Sequence, residues 1–210
     1  MDRPMGWVVA WRALDPRAGY RSTRGRRILS VSQGSFTGTP PSAANRPQLD
    51  VLRDRARLAA VDRILSAGPP TRVLHRLTVV AAQLLDTPCA QISLLSAGGQ
   101  VVAALVGAAA EPSPQPTPVE DSLCSVTAAH RGPLVVEDAA GHPWVYDLPP
   151  VTSGQVCSYL GVVLTDAAGH VLGSVCVYGG KPRHWSDEDI NALTVLAEAV
   201  ATELEADLDA

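Results

Sequence analysis

The sequence predicts an α+β domain in which N- and C-terminal helices pack on one face of a central antiparallel β-sheet. Two pairs of strand-length runs, CAQISLLS with Gln100–Val106 and Ser158–Leu164 with Val171–Tyr178, are each joined by a short glycine turn and read as hairpins. Segments with apolar residues three and four apart stand at both ends of this strand-rich middle. Strands and helices do not alternate as in a parallel α/β fold, so the sheet is antiparallel and the terminal helices cover it.

Each element follows from its residues. In LDVLRDRARLAAVDRILSA, Leu52, Ala56, Ala59 and Ile64 recur with Leu58, Val61 and Leu65 among charged residues. This is an amphipathic helix over 49–66, ended by Gly68-Pro69-Pro70. Thr71 caps a second helix to about Leu85, with Val73, Leu77, Val80, Ala81 and Leu84 on one stripe. Ala90, Ile92 and Leu94 share one face of the first strand, and Gly98-Gly99 turns it into the second. Four prolines within Glu111–Pro118 forbid a regular ladder and make that stretch a loop. Asp121 or Ser122 caps a short helix through His130, LVVE at 134–137 is a buried strand, and residues 138–157 read as irregular. Gly169 takes the left-handed position in the turn TDAAGH. Ser186 and Asp189 form a capping box at the last helix, flanked by Trp185 and Ile190 at the staple positions. Ile190, Leu193, Ala197, Val200 and Leu204 then repeat at three and four, a seam sustained for two heptads.

Charge divides the 210-residue chain into two parts. Residues 1–50 carry eight Arg against three Asp, a net of +5, which leaves −9 for residues 51–210. The bulk of the chain would repel phosphate, so no nucleic-acid partner is expected. No run approaches the roughly 20 apolar residues of a membrane span, and no membrane partner is expected. A hydrophobic content of 46% excludes global disorder. The exception is 1–48, where an Arg cluster (Arg21, Arg24, Arg26, Arg27) leads into a Ser/Thr/Gly/Pro stretch with no apolar face. It is expected to be a disordered basic extension preceding a domain over 49–210. One Lys against sixteen Arg points to a GC-rich genome and so to a bacterium. Cys89, Cys124, Cys157 and Cys176 form no close pair in sequence, which fits a reducing cytoplasm, and no signal peptide is evident.

Four segments carry a family resemblance: CAQISLL, DSLCSVTAAHRGPLVVEDAAGHPW, YLGVVLTDAAGHVLGSVCVYGGKPRHW and SDEDINALTVLAEAVATELE. In this order and spacing the chain resembles the GAF domain family over about residues 71–206. The resemblance implies a PAS-like antiparallel sheet with helices on one face. On the other face it implies a pocket roofed by the segment between the third and fourth strands. It also implies a sensory module in bacterial signal transduction that binds a small molecule, dimerises, or both. With the chain running to Ala210 directly after the closing helix, no output domain is expected, and a separate signalling protein would receive the signal.

The pocket residues that the resemblance implies are Cys124, Ser125, His142, Trp144, Tyr146, Cys157 and Tyr159: apolar walls with a few directed polar groups. The helices 49–66 and 186–208, with the seam Ile190, Leu193, Ala197, Val200 and Leu204, are the expected homodimer contact. No catalytic residue and no metal ligand are expected, since His75, His130, His142, His170 and His184 are scattered. The alternative of another class is a thiol-dependent free methionine-R-sulfoxide reductase, because Cys124 in DSLCS resembles that branch's middle cysteine. Its partner thiols would fall near Pro114 and Leu148, where none stands, and Cys157 comes too late. Cys89 and Cys176 read as small core hydrophobes. A degenerate GAF domain acting only as a protein contact surface is the third reading. Bilin on Cys157 and haem on His142 are cofactor chemistries found in the family. No His follows Cys157, and His142 stands alone between Gly and Pro, so the cofactor is left unknown.

Overall fold

The first and last long strands meet at the centre of the sheet. The structure, a computed structural model, describes residues 46–107 and 115–206. Its strands are β1 (Cys89–Ser96), β2 (Gly99–Val106), β3 (Leu134–Val136), β4 (Ser158–Thr165) and β5 (Val171–Gly179). They pair in the order β2-β1-β5-β4-β3, every neighbour antiparallel. The helices are α1 (Arg55–Ala67), α2 (Thr71–Leu84), α3 (Leu123–His130), the single turn α4 (Pro149–Thr152) and α5 (Asp187–Ala206). Gly169 takes the expected left-handed conformation, with φ 81°, in the β4–β5 turn.

The two faces of the sheet differ in chemistry. On one, Ala90, Ile92 and Leu94 of β1 lie opposite Val177, Val175 and Gly173 of β5, which in turn face Leu160, Val162 and Leu164 of β4. Ala60, Val61 and Ile64 of α1, Leu74, Ala81 and Ala82 of α2, and Leu193, Ala197, Val200 and Leu204 of α5 pack on these strand residues in one cluster. Each fully buried Leu or Val here contributes about 1.5–3 kcal/mol, which makes this aliphatic layer the main source of stability. The other face carries Cys89, Gln91 and Ser93 opposite Tyr178, Cys176 and Ser174, and Tyr159 opposite Tyr178. That face is covered by α3 and the segment 137–157.

The helices depart from the sequence reading in several places, among them the one-turn α4 within the stretch read as irregular. The leading helix over 49–66 breaks at Asp54: Leu49–Arg53 is a 3-10 turn, and α1 starts anew with the Asp54 carboxylate accepting from the Arg57 N–H. Asp at this position competes with the preceding helix for backbone donors and favours a cap. The inward face of α1 includes Arg57, 3% exposed, whose Nε donates to Leu52 O at 2.9 Å and Nη1 to Val171 O at 3.1 Å. Burial lowers its pKa, opposed by Asp54 and Asp62.

In α2, Thr71 is the first helical residue and not the cap, which is Pro70. Its buried stripe is Leu74, Thr78, Ala81 and Ala82, so the expected stripe is rotated and Val80 and Leu84 stand 44% and 57% exposed. Small Ala81 and Ala82 let the helix approach the sheet, and Thr78 is buried without penalty because its hydroxyl donates to Leu74 O at 2.7 Å. The α5 seam is also reassigned. Leu193, Ala197, Val200 and Leu204 are buried in the chain's own core and Ile190 packs against it, so this stripe is not open to a partner. A terminal helix covering a sheet and a coiled-coil helix need the same apolar spacing, and periodicity alone does not separate them.

At the start of α5 the capping box forms as expected, Ser186 N donating to Asp189 Oδ2 at 3.0 Å and Asp189 N to Ser186 Oγ at 3.1 Å. Of the basic extension over 1–48, residues 1–45 lie outside the described residues, as does part of the Pro-rich loop. Arg46 is described, and its Nη1 donates to both carboxylate oxygens of Asp147 at 3.1 Å.

Candidate functional site

Helix α3 is capped by Ser122, whose hydroxyl accepts from Ser125 N at 3.2 Å and donates to the Gln100 side-chain oxygen. This anchors the first turn against β2 and sets Cys124 over the polar sheet face. The Cys124 sulfur lies 3.8 Å from the sulfur of Cys176, 3.8 Å from the Tyr159 hydroxyl and 3.9 Å from Gln91 Nε2. Gln91 Nε2 also donates to Ser93 Oγ at 2.7 Å. One turn along α3, Thr127 Oγ1 is 2.8 Å from Tyr159 Oη and 3.0 Å from Leu123 O. With Thr127 donating to that carbonyl, the phenol hydrogen is divided between Thr127 and Cys124. Gly161 makes this possible: a Cβ there would stand 2.3 Å from Tyr159 Oη, so only glycine leaves the ring room to lie along β4.

Electrostatics sets the two thiols apart. The Cys176 S–H directed at Cys124 lowers the Cys124 pKa against the opposing effect of burial, aided by Ser174, Ser93 and Tyr159, to about 6. The same contact, with burial, pushes Cys176 well above an ordinary thiol. Cys124 is therefore the thiol that ionises first, and the pair holds its second proton tightly. Burial and the neighbouring Cys124 and Cys176 raise Tyr159 as well, so the phenol remains a donor. The Ser125 hydroxyl is buried with no hydrogen-bond partner.

The roof over this face is built from residues 137–157. Asp138 caps a 3-10 turn over Ala139–Gly141, and the His142 carbonyl accepts from the N–H groups of Val145 and Tyr146, both at 3.1 Å. Trp144 then points inward, edge-on to His130 at 5.0 Å and to His142 at 5.8 Å between ring centres. Burial lowers the pKa of both imidazoles. Trp144, Leu148, Val151 and Val156 pack with Tyr159, Tyr178, Cys124 and Cys176 in one cluster, so the roof's own side chains fill the interior.

Of the predicted pocket residues, the structure brings Cys124, Trp144 and Tyr159 into one cluster and buries Ser125 and His142 beside them. Tyr146 does not join it, being 53% exposed. Cys157 is half-buried, with its sulfur 3.8 Å from the Gly154 carbonyl. Sequence reasoning missed Gln91, Ser93, Thr127, Ser174 and Cys176. The signal was present: Gln91 and Ser93, like Ser174 and Cys176, sit two apart and so share one face of their strands. Among the described residues no group of three His, Cys, Asp or Glu could hold a metal ion, and no helix is long and apolar enough to cross a membrane. A separate cleft of about 870 Å³ lies between α1, the β4–β5 turn and α5, lined by Asp62, Arg63, Asp166 and Glu205 among others.

A five-stranded antiparallel sheet with helices on one face, and a short helix and roof over a polar second face, defines an α+β module. The chain belongs to the GAF domain family, whose model matches residues 69–204. Among solved structures it is similar to the GAF domain of a Coxiella burnetii phosphoenolpyruvate-protein phosphotransferase, with TM-score 0.57 and 18% identity over 78% of this chain and 95% of that one. The corresponding Acinetobacter GAF domain gives TM-score 0.56 and 16% identity over 73% and 95%. Free methionine-R-sulfoxide reductase from Neisseria meningitidis, solved with its substrate, gives 0.55 and 20% over 77% and 86%. At these identities the likeness is one of fold. No curated protein sequence matches the chain.

Proposed function

We propose that this chain is a sensory GAF module of bacterial signal transduction that binds a small polar molecule beneath the roof and passes that state to a separate output protein. One observation carries the reading: the face under α1, α2 and α5 is lined along its middle by Ala90, Ile92, Leu94, Leu160, Val162, Leu164, Val175 and Val177, whereas the roofed face presents Gln91, Ser93, Ser174, Cys176 and Tyr159. A face built only for packing would gain more from aliphatic side chains. Because Trp144, Leu148 and Val151 fill the space, binding requires the roof to lift, and the ligand then selects an open state. That coupling is what a sensor needs. Homodimerisation belongs to the proposal only through outward surfaces, such as the side of α5 bearing exposed Val195. A reducing cytoplasm suits a module holding Cys124 and Cys176 as thiols.

The test is a thermal-shift screen of the purified chain against free amino acids, methionine sulfoxide and cyclic nucleotides, followed by calorimetry. At least one compound should raise the midpoint saturably, and Ser93→Ala with Ser174→Ala should weaken it. No binding below millimolar, with no small molecule retained in native mass spectrometry, would leave the module as a protein contact surface.

A second reading, thiol-dependent reduction of free methionine sulfoxide, gains support from Cys176 standing beside Cys124, since a lone thiol lacks a resolving partner. Turnover of the free R-sulfoxide with dithiothreitol, abolished by Cys124→Ser, is its measurement; absence of turnover leaves the sensor.

A further inference from the structure

We propose that Cys124 and Cys176 are a peroxide-responsive dithiol that closes into a disulfide joining α3 to the central strand β5. The inference goes beyond ligand sensing and stands whether or not the site binds a molecule.

Three observations carry it. The sulfurs are 3.8 Å apart, while a disulfide needs about 2.05 Å, so closure asks for a sulfur displacement of under about 2 Å. Their surroundings are not those of core thiols packed for volume: the Tyr159 hydroxyl and Gln91 amide reach the Cys124 sulfur, and Ser93 and Ser174 share that face. Such donors stabilise a thiolate, the nucleophilic form. Cys124 and Cys176 are also buried, at 4% and 1% exposure, beneath the roof. That excludes bulky disulfide reagents and selects an oxidant close to water in size, namely hydrogen peroxide.

The chemistry balances. The Cys124 thiolate attacks one peroxide oxygen, the O–O bond breaks, and the departing hydroxide takes up the proton that Cys124 released, leaving as water. Cys124 is now a sulfenic acid. Cys176 then attacks the Cys124 sulfur, the S–O bond breaks, and the leaving hydroxide carries off the Cys176 proton as a second water. Two thiols and one peroxide become one disulfide and two waters; a dithiol reductant reverses it. Gln91 and Tyr159 support the first step by donating to the thiolate, and the pair's unequal acidity assigns attack to Cys124 and resolution to Cys176. Once formed, the bond ties the first turn of α3 to the sheet and removes the thiolate that Gln91 and Tyr159 face.

The experiment uses the full chain, treated with a small excess of hydrogen peroxide under native conditions, acid-quenched, unfolded, alkylated and mapped by mass spectrometry. Cys124 and Cys176 should escape alkylation together, the intact mass should fall by about 2 Da, and a linked peptide should appear that dithiothreitol dissolves. In Cys176→Ser, dimedone present as the peroxide-treated chain is unfolded should trap a sulfenic acid at Cys124, while Cys157→Ser should still form the disulfide. The proposal is overturned if both thiols remain alkylatable while the more exposed Cys157 oxidises, or if Cys124 links to Cys89 or Cys157 instead. The mapping is made on the unmutated chain, so a variant that fails to fold does not shield the proposal.

Discussion

Replacing Gly161 by alanine puts a methyl group into the space occupied by the Tyr159 ring. The added carbon would lie 2.3 Å from Oη, 2.6 Å from Cε1 and 2.7 Å from Cζ, well inside van der Waals contact. The ring cannot yield toward the interior, because Tyr159 is packed among Val136, Trp144 and Tyr178. Overpacking of this kind costs about 1–3 kcal/mol. Displacing the phenol also breaks its 2.8 Å bond to Thr127, for about 1 kcal/mol more. The expected loss is therefore about 2–4 kcal/mol, or a fall of about 4–16 °C in melting temperature for a domain of this size. Urea titrations followed by tryptophan fluorescence measure it, and a double-mutant cycle with Tyr159→Leu isolates the cause. With the ring gone, Gly161→Ala should cost under about 1 kcal/mol. If the two substitutions add to within about 0.5 kcal/mol, Gly161 is not there to seat Tyr159 and the reasoning fails.

Three further outcomes are expected. Arg57→Met strips the donors from Leu52 O and Val171 O and should destabilise by about 2 kcal/mol net, since relief of a buried charge offsets part of the loss. Arg57→Lys should recover at most half, and an unchanged urea midpoint in the Met variant would refute the tie. Burial holds His130 and His142 below the ordinary value of 6.5, so the folded chain keeps them neutral while the unfolded chain takes up protons first. Their contribution is complete above about pH 6.5 and declines as pH falls toward the folded values; a His130→Gln, His142→Gln chain that loses stability just as steeply from pH 7 to 5 would contradict this. Ser186→Ala removes one arm of the capping box and should cost about 1 kcal/mol by thermal melt, with an unaltered midpoint counting against it.

Much of the fold was legible because its signals are local. Alternation in CAQISLLS, the turn at Gly169 and the reciprocal bonds of Ser186 and Asp189 each depend on residues within a few positions of one another. The α2 stripe was misplaced because Val80 and Leu84 border the true face, and hydrophobicity does not say which of two adjoining stripes turns inward. Thr78 and Arg57 gave no apolar signal in the sequence, although their hydrogen bonds make burial tolerable. The site was half legible. The helix carrying Cys124 and the roof carrying Trp144 stood out by their motifs, while the strand residues opposite them did not.

By itself the sequence determined most of the element order, the antiparallel pairing and the family, and it brought Cys124 forward as one candidate pocket residue. These rest on backbone propensity, turn chemistry and periodicity, which act over short distances along the chain. Only the tertiary structure decided that the α5 seam serves the chain's own core, that the roof fills the interior it was expected to cover, and that Cys176 meets Cys124 from 52 positions away. Strand register brings those last two together: Cys176 lies opposite Gln91 on the face that α3 covers, and no local pattern encodes which helix settles on which face.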